Sequence, residues 1–306
     1  MANTVKQSTN KVKIEGLLVE NSLKTGSYKD KNNVDTEYIS GVLTVRVNQM
    51  ISGVEEINEI PVNVWVSKLK KDGQPNPAYK SMYDAMTSYT SLAASEDENK
   101  ATKILMTSAS VVENIFSTDG TTVICTPRIT SSFVSSITNL SNYKPEATFT
   151  TDMVVGNIVD EVNKDGIPTG RLKVRGAVCK YNGAMDYLDY IVEHPEAINY
   201  IRSYWKVGDT VQVSGRVRFT TKTEQIEVPV RFGDPVFKTK TTNCRELVIT
   251  ADSSDSLTPE QKFTAQEIEA GQKLREQAIE EAKKRANKTG NATSAHAPAA
   301  TNPFGF

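Results

Sequence analysis

From Lys206 to Thr220 the chain reads K-V-G-D-T-V-Q-V-S-G-R-V-R-F-T, and strict alternation follows the Gly208-Asp209 turn signal. Val211, Val213, Val217 and Phe219 take one phase; Gln212, Ser214, Arg216 and Arg218 take the other. The pattern predicts a strand with one apolar face in a core and one outward face ending in arginines. Before it, Pro195–Trp205 places Ile198, Ile201 and Trp205 at helical spacing and predicts a short helix opened by His194-Pro195. A helix, a turn and such a strand form the passage from the third to the fourth strand of a five-stranded OB barrel.

The same signals occur twice. Val12–Gly26 and Met153–Gly166 share G-x-[LI]-V-[ED]-x-x-x-K-x-G, with Gly16, Lys24 and Gly26 matching Gly156, Lys164 and Gly166. The next strands share G-x-L-x-V-R, as Gly41 to Arg46 and Gly170 to Arg175. Two spaced matches in one order predict a duplicated unit. Each copy reads strand, strand, strand, helix, strand, strand. In the first copy the strands fall near 12–20, 37–48, 59–67, 103–116 and 121–137, and a helix over 78–92 starts at Asn76-Pro77.

The expected fold class is therefore mainly β: two tandem OB-fold five-stranded barrels, then a C-terminal helix and a disordered tail. The expected divisions are a disordered lead at 1–10, OB domain one at 11–140, a linker at 141–148 and OB domain two at 149–250. A charged helix at 251–287 and a tail at 288–306 complete the chain. The helix signal is Thr258-Pro259 with Gln261. The tail is rich in Asn, Thr, Ala and Pro, has too few apolar groups to order itself, and ends in Pro303, Phe304, Gly305 and Phe306.

The outward phases of the strands carry the candidate chemistry. Val62, Val64 and Val66 claim the core of one strand, which turns Trp65 outward, near Tyr38 and Arg46 of its neighbour. In the second copy Arg171, Lys173, Arg175 and Tyr181 share an outward phase, with Tyr187 on the next strand and Arg216 and Arg218 on the fourth. Exposed aromatics beside cations suit bases stacked on rings and phosphates tracked by charge. The alternative is that these cations are surface charges paired with Asp186, Asp189 or Glu224.

Charge and composition narrow the picture. With 36 Lys and Arg against 37 Asp and Glu, affinity for a polyanion must come from local placement of charge. Two histidines, His194 and His296, make neither a metal site nor a triad, and no phosphate-binding loop or nucleophile elbow appears, so neither an enzyme nor a cofactor is expected. Three widely spaced cysteines suit a reducing, cytoplasmic compartment. The polar N-terminus shows no signal peptide, and no apolar run reaches membrane-spanning length.

The G-D-x-V-x-V-x-G-x-V run, the strand order and the aromatic-ended tail resemble bacteriophage-type single-stranded DNA-binding proteins, here with tandem OB folds. The resemblance covers roughly residues 11–250 and the tail end. It implies sequence-tolerant, non-catalytic binding of single-stranded DNA in replication or recombination, in the host cytoplasm if the chain is viral. The bacterial single-stranded DNA-binding proteins end in an acidic tail with a Pro-Phe tip that recruits other replication proteins. Phe304 and Phe306 resemble that tip, although residues 289–306 carry no Asp or Glu. Two alternatives stand beside this reading: an OB-fold structural or adaptor protein of a virion, and an OB-fold RNA binder.

Overall fold

The computed structural model describes residues 5–29, 33–228 and 236–290. The first ten elements are β1 (Asn10–Asn21), β2 (Lys24–Lys29), β3 (Asp35–Ile51), β4 (Val54–Ser67), α1 (Pro77–Ser88), α2 (Leu92–Ser95), β5 (Lys103–Ser117), β6 (Val123–Thr130), β7 (Ser135–Ser136) and β8 (Glu146–Val162). There follow β9 (Pro168–Cys179), β10 (Met185–Val192), α3 (Pro195–Tyr204), β11 (Thr210–Val228), β12 (Val236–Asp252) and α4 (Ala265–Gly290).

The hydrogen-bonded registers close two rings. In the first, β1 pairs antiparallel with β3, β3 with β4, β4 runs parallel to β6, β6 returns along β5, and β5 closes on β1. The second repeats this as β8, β9, β10, β12 and β11, again with one parallel pair, Tyr190 opposite Leu247. Each ring thus has the OB order, with a helix between its third and fourth strands. The shared motif keeps its place in both. A Cβ on Gly16 would lie 2.4 Å from the Arg46 carbonyl oxygen, and one on Gly156 would lie 3.1 Å from that of Arg175. Glycine lets the first strand cross its neighbour closely at the same point of each ring.

The helices close the ring ends as their sequences suggest. Asn76 caps α1 by accepting from Ala78 N–H, Pro77 sits in its first turn, and Met82 and Ala85 are buried. Ile198, Ile201 and Trp205 face inward from α3, and the Trp205 Nε1–H donates to Asp252 Oδ2 at 3.1 Å. The rings are not strung on a loose tether. Asn10–Glu15 of β1 pairs with residues 146–151 of β8, and one hydrophobic cluster runs through both rings.

Several boundaries differ from the sequence reading, each for a local reason. The loop expected between Gly26 and Gly41 contains β2, which adds to the edge of β3 with Tyr28 opposite Thr36. The last strand of ring one, expected over 121–137, ends at Thr130. Ser131 Oγ then accepts from Phe133 N–H and donates to its carbonyl, turning the chain. Within the expected lead, Ser8 N–H donates to the Cys179 carbonyl and Ser8 Oγ accepts from Cys179 N–H, so residues 5–10 lie against ring two. Residues 146–148 of the expected linker already belong to β8. The expected helix start at Thr258 is a single tight turn over Pro259–Gln261, and α4 begins only at Ala265. The last residues of the tail, with Phe304 and Phe306, lie outside the described residues.

Candidate nucleic-acid interface

Ring one presents an open aromatic face. Val62, Val64 and Val66 point into the core, so Trp65 stands out from β4 and is 59 % exposed. Tyr38 on β3 stacks on it, with ring centres 5.9 Å apart and planes 26° apart. Tyr28 on β2 completes a triangle, 5.9 Å from Trp65 and 6.0 Å from Tyr38. The rings hold one another in place, and their free faces meet solvent. Sequence reasoning found Tyr38 and Trp65 through the phase of their strands. Tyr28 was missed because its segment reads as a loop.

Beside Trp65 the outer surfaces of β3, β4, β5 and β6 enclose a groove of about 550 Å³, lined by Gly41, Asn63, Ser108, Ser110, Thr130 and Arg128 among others. Arg128 makes no ion pair among the described residues. Partial burial pushes its guanidinium below its usual value, with no carboxylate to offset the cost. The sequence reading passed over it, because Pro127 and a short apolar run hide the strand phase there. From ring two, Tyr181 projects at the β9–β10 turn, 71 % exposed, with the Lys71 ammonium of ring one 5.9 Å from its ring centre.

The other predicted cations stand elsewhere. Arg216 and Arg218 do point away from the core of ring two, but the β3–β4 hairpin of ring one covers that face. Arg216 pairs with Glu56 at 3.2 Å and Glu193 at 2.7 Å. Arg218 meets Glu56 at 3.0 Å and Glu246 at 3.0 Å, and also Glu193. Arg171 pairs with Glu161 at 2.6 Å, Glu193 at 3.2 Å and Glu246 at 2.8 Å. Three guanidiniums thus satisfy four carboxylates in a half-buried network that ties the rings together. The carboxylates come from positions distant in sequence: the arginines are paired, as the alternative reading has it, but with Glu56, Glu161, Glu193 and Glu246, while Asp186 pairs with Lys180 and the Glu224 side chain lies outside the described residues. Burial would raise the Glu193 carboxyl, but hydrogen bonds and charge from Arg218, with Arg171 and Arg216, hold it at about 2. Arg46 is likewise occupied, at 2.8 Å from Glu59 and 3.2 Å from Glu98. It also lies six residues along β3 from the position opposite Trp65, roughly 20 Å away.

The remaining pair, Arg175 and Tyr187, lies on ring two's outer β9–β10 face, where α4 packs against Tyr187 and leaves Arg175 exposed. Arg275 of α4 stacks over the Tyr187 ring at 4.9 Å, with Arg175 at 5.4 Å from the same ring. Gln272 donates to the Tyr187 hydroxyl at 2.9 Å, and Arg275 forks onto Glu113 of ring one at 2.6 and 2.7 Å. Phe263, just ahead of α4, packs with Val154, Ala177, Cys179 and Met185. Lys173 is half-buried on the same strand. The structure therefore brings together Tyr38, Trp65, Tyr28 and Arg128 on ring one, and separates them from the arginine strip of ring two.

Among the described residues no group of three or more His, Cys, Asp or Glu could hold a metal ion, and no helix is long and apolar enough to cross a membrane. Cys125, Cys179 and Cys244 are free thiols.

A family model described as YorF matches residues 8–285, and the chain belongs to the YorF family. No curated protein matches it. Among solved structures it is similar to a deletion mutant of the single-stranded DNA-binding protein from Thermus aquaticus. That likeness has 12 % identity and a TM-score of 0.44, over 83 % of this chain and 98 % of the other.

Proposed function

We propose that the chain is a non-catalytic, sequence-tolerant binder of single-stranded DNA, stacking bases on the aromatic face of ring one. The observation that carries this is Trp65, exposed yet held between two tyrosines on the outer strands of an OB barrel. Loops and outer strands of this part of an OB barrel are where single strands lie, and every base offers a ring face to an aromatic side chain. Duplex DNA keeps its bases stacked on one another and has none to offer.

In this reading the two rings are OB domains spanning about 11–140 and 149–250, and the protein protects single strands in the cytoplasm during replication or recombination, as in a bacteriophage. The aromatic tip at Phe304 and Phe306 would recruit replication or recombination partners while ring one holds the strand. Fluorescence anisotropy with labelled oligo-dT, oligo-rU and a duplex of equal length tests the assignment. Oligo-dT should bind at least tenfold more tightly than duplex, and Trp65→Ala should remove most of that difference. Equal affinity for duplex, or tight binding that ignores Trp65→Ala, refutes it. A clear preference for oligo-rU assigns RNA instead.

A further inference from the structure

We propose that the groove beside Trp65 is an anion subsite in which Arg128 holds one backbone phosphodiester of the strand whose base stacks on Trp65. The inference rests on the single-strand reading above and adds the group that engages the backbone.

Its basis is a contrast among arginines. Arg46, Arg171, Arg216 and Arg218 all end on carboxylates, so a phosphate would have to displace an existing partner from each. Arg128 has none among the described residues, and it stands exposed at the wall of the groove. A guanidinium at a groove wall without a carboxylate partner can take an arriving anion through charge-assisted hydrogen bonds without breaking an existing pair. The groove around it is polar without being acidic. Asn63, Ser108, Ser110, Thr130, Ser131 and Ser132 line it, and none of these repels a phosphate. The Ser110 and Thr130 hydroxyls lie 3.2 Å apart and bond each other, which fixes the groove floor.

Register gives the spacing. β4 and β6 run parallel with Asn63 opposite Thr130. Trp65 lies two residues beyond that pair and Arg128 two residues before it. Four residues at about 3.3 Å each put the stacking ring and the guanidinium roughly 13 Å apart along the strands, at opposite ends of the groove. A base held at one end therefore leaves its own chain to run over the hydroxyl floor to the cation at the other.

Salt dependence of oligo-dT binding reads this directly. In Arg128→Gln the slope of log affinity against log salt should flatten by about 0.7, one phosphate contact on a single strand. Quenching of Trp65 at saturation and the melting temperature should stay as in the wild type, because the Arg128 side chain bonds no other group among the described residues. Arg128→Lys should restore the slope, and Arg202→Gln, which removes a cation of α3 already paired with Asp160 of β8, should leave it unchanged. A second probe does not depend on DNA. Millimolar pyrophosphate should shift the Arg128 Nε–H resonance, identified by its absence in Arg128→Gln. If pyrophosphate shifts that signal while oligonucleotides fail to bind, the anion site stands and the single-strand reading falls. If oligo-dT quenches Trp65 but neither the slope nor the resonance responds to Arg128, the subsite is wrong and the stacking reading stands.

Discussion

At the scale of single residues, the arginines of ring two divide from the aromatics of ring one by what surrounds them. Arg218 touches three carboxylates, and with Arg216 it carries the link between the rings. Replacing it by methionine strands Glu193 and Glu246 in a half-buried site, and should cost about 2 kcal/mol of stability. The salt slope for oligo-dT should not change, and denaturant unfolding beside a binding titration checks both halves. The same network sets a pH window. Glu193 has its folded pKa depressed to about 2, against about 4.3 for an unperturbed glutamate. Its contribution is therefore fully present above about pH 4.5 and is lost as pH falls toward 2. Melting temperatures between pH 7 and 2 should drop in that window, and Glu193→Gln should start lower and drop less.

The element that most changes the sequence-based picture is α4. Its charged residues and thin apolar stripe predict a solvated helix, yet it lies along β10, β5 and β6. Gly271, an apparent flaw inside a helix, is a point of close approach. A Cβ there would stand 2.8 Å from the Gly183 carbonyl oxygen and 2.6 Å from Met185 Cγ. Alanine is favoured over glycine inside a helix by about 1 kcal/mol. Here Gly271→Ala should nevertheless destabilise the protein, since the Gly183 backbone cannot retreat as a side-chain tip can. Thermal melts compared with an alanine placed at an exposed α4 position, such as Lys273→Ala, test this. The second variant should be nearly neutral.

For the whole molecule, what was legible in the sequence followed from period and repetition. Alternation at Val211–Phe219 and at Val62–Val66 placed those strands and turned Trp65 outward. The paired Gly16 and Gly156 motifs marked equivalent points of the two rings. Long-range pairing was not legible. Nothing local to Arg216 or Arg218 shows that Glu56, some 160 positions away, will meet them. Nothing in the outward phase of Tyr187 shows that α4 will lie over it. Alternation tells which residues leave a core and is silent on what then covers them.

The rings share the β1–β8 pairing, the arginine network, the span of α4 and one apolar cluster. They should therefore unfold together. Trp65 reports ring one and Trp205 ring two, so urea transitions of Trp65→Phe and Trp205→Phe variants should coincide in midpoint. Separate midpoints would mean that the shared elements do not couple the rings.

Trp65 also provides the most direct test of the stacking face, because Trp205 is buried and bonded to Asp252. In a Trp205→Phe variant, titration with oligo-dT should quench the remaining fluorescence to a saturable endpoint, and duplex of equal length should not. Stacking of this kind is worth about 1–3 kcal/mol per base, so Trp65→Ala should weaken oligo-dT binding by that amount with an unchanged melting temperature. Unquenched fluorescence at saturating oligo-dT would contradict a strand lying across this face.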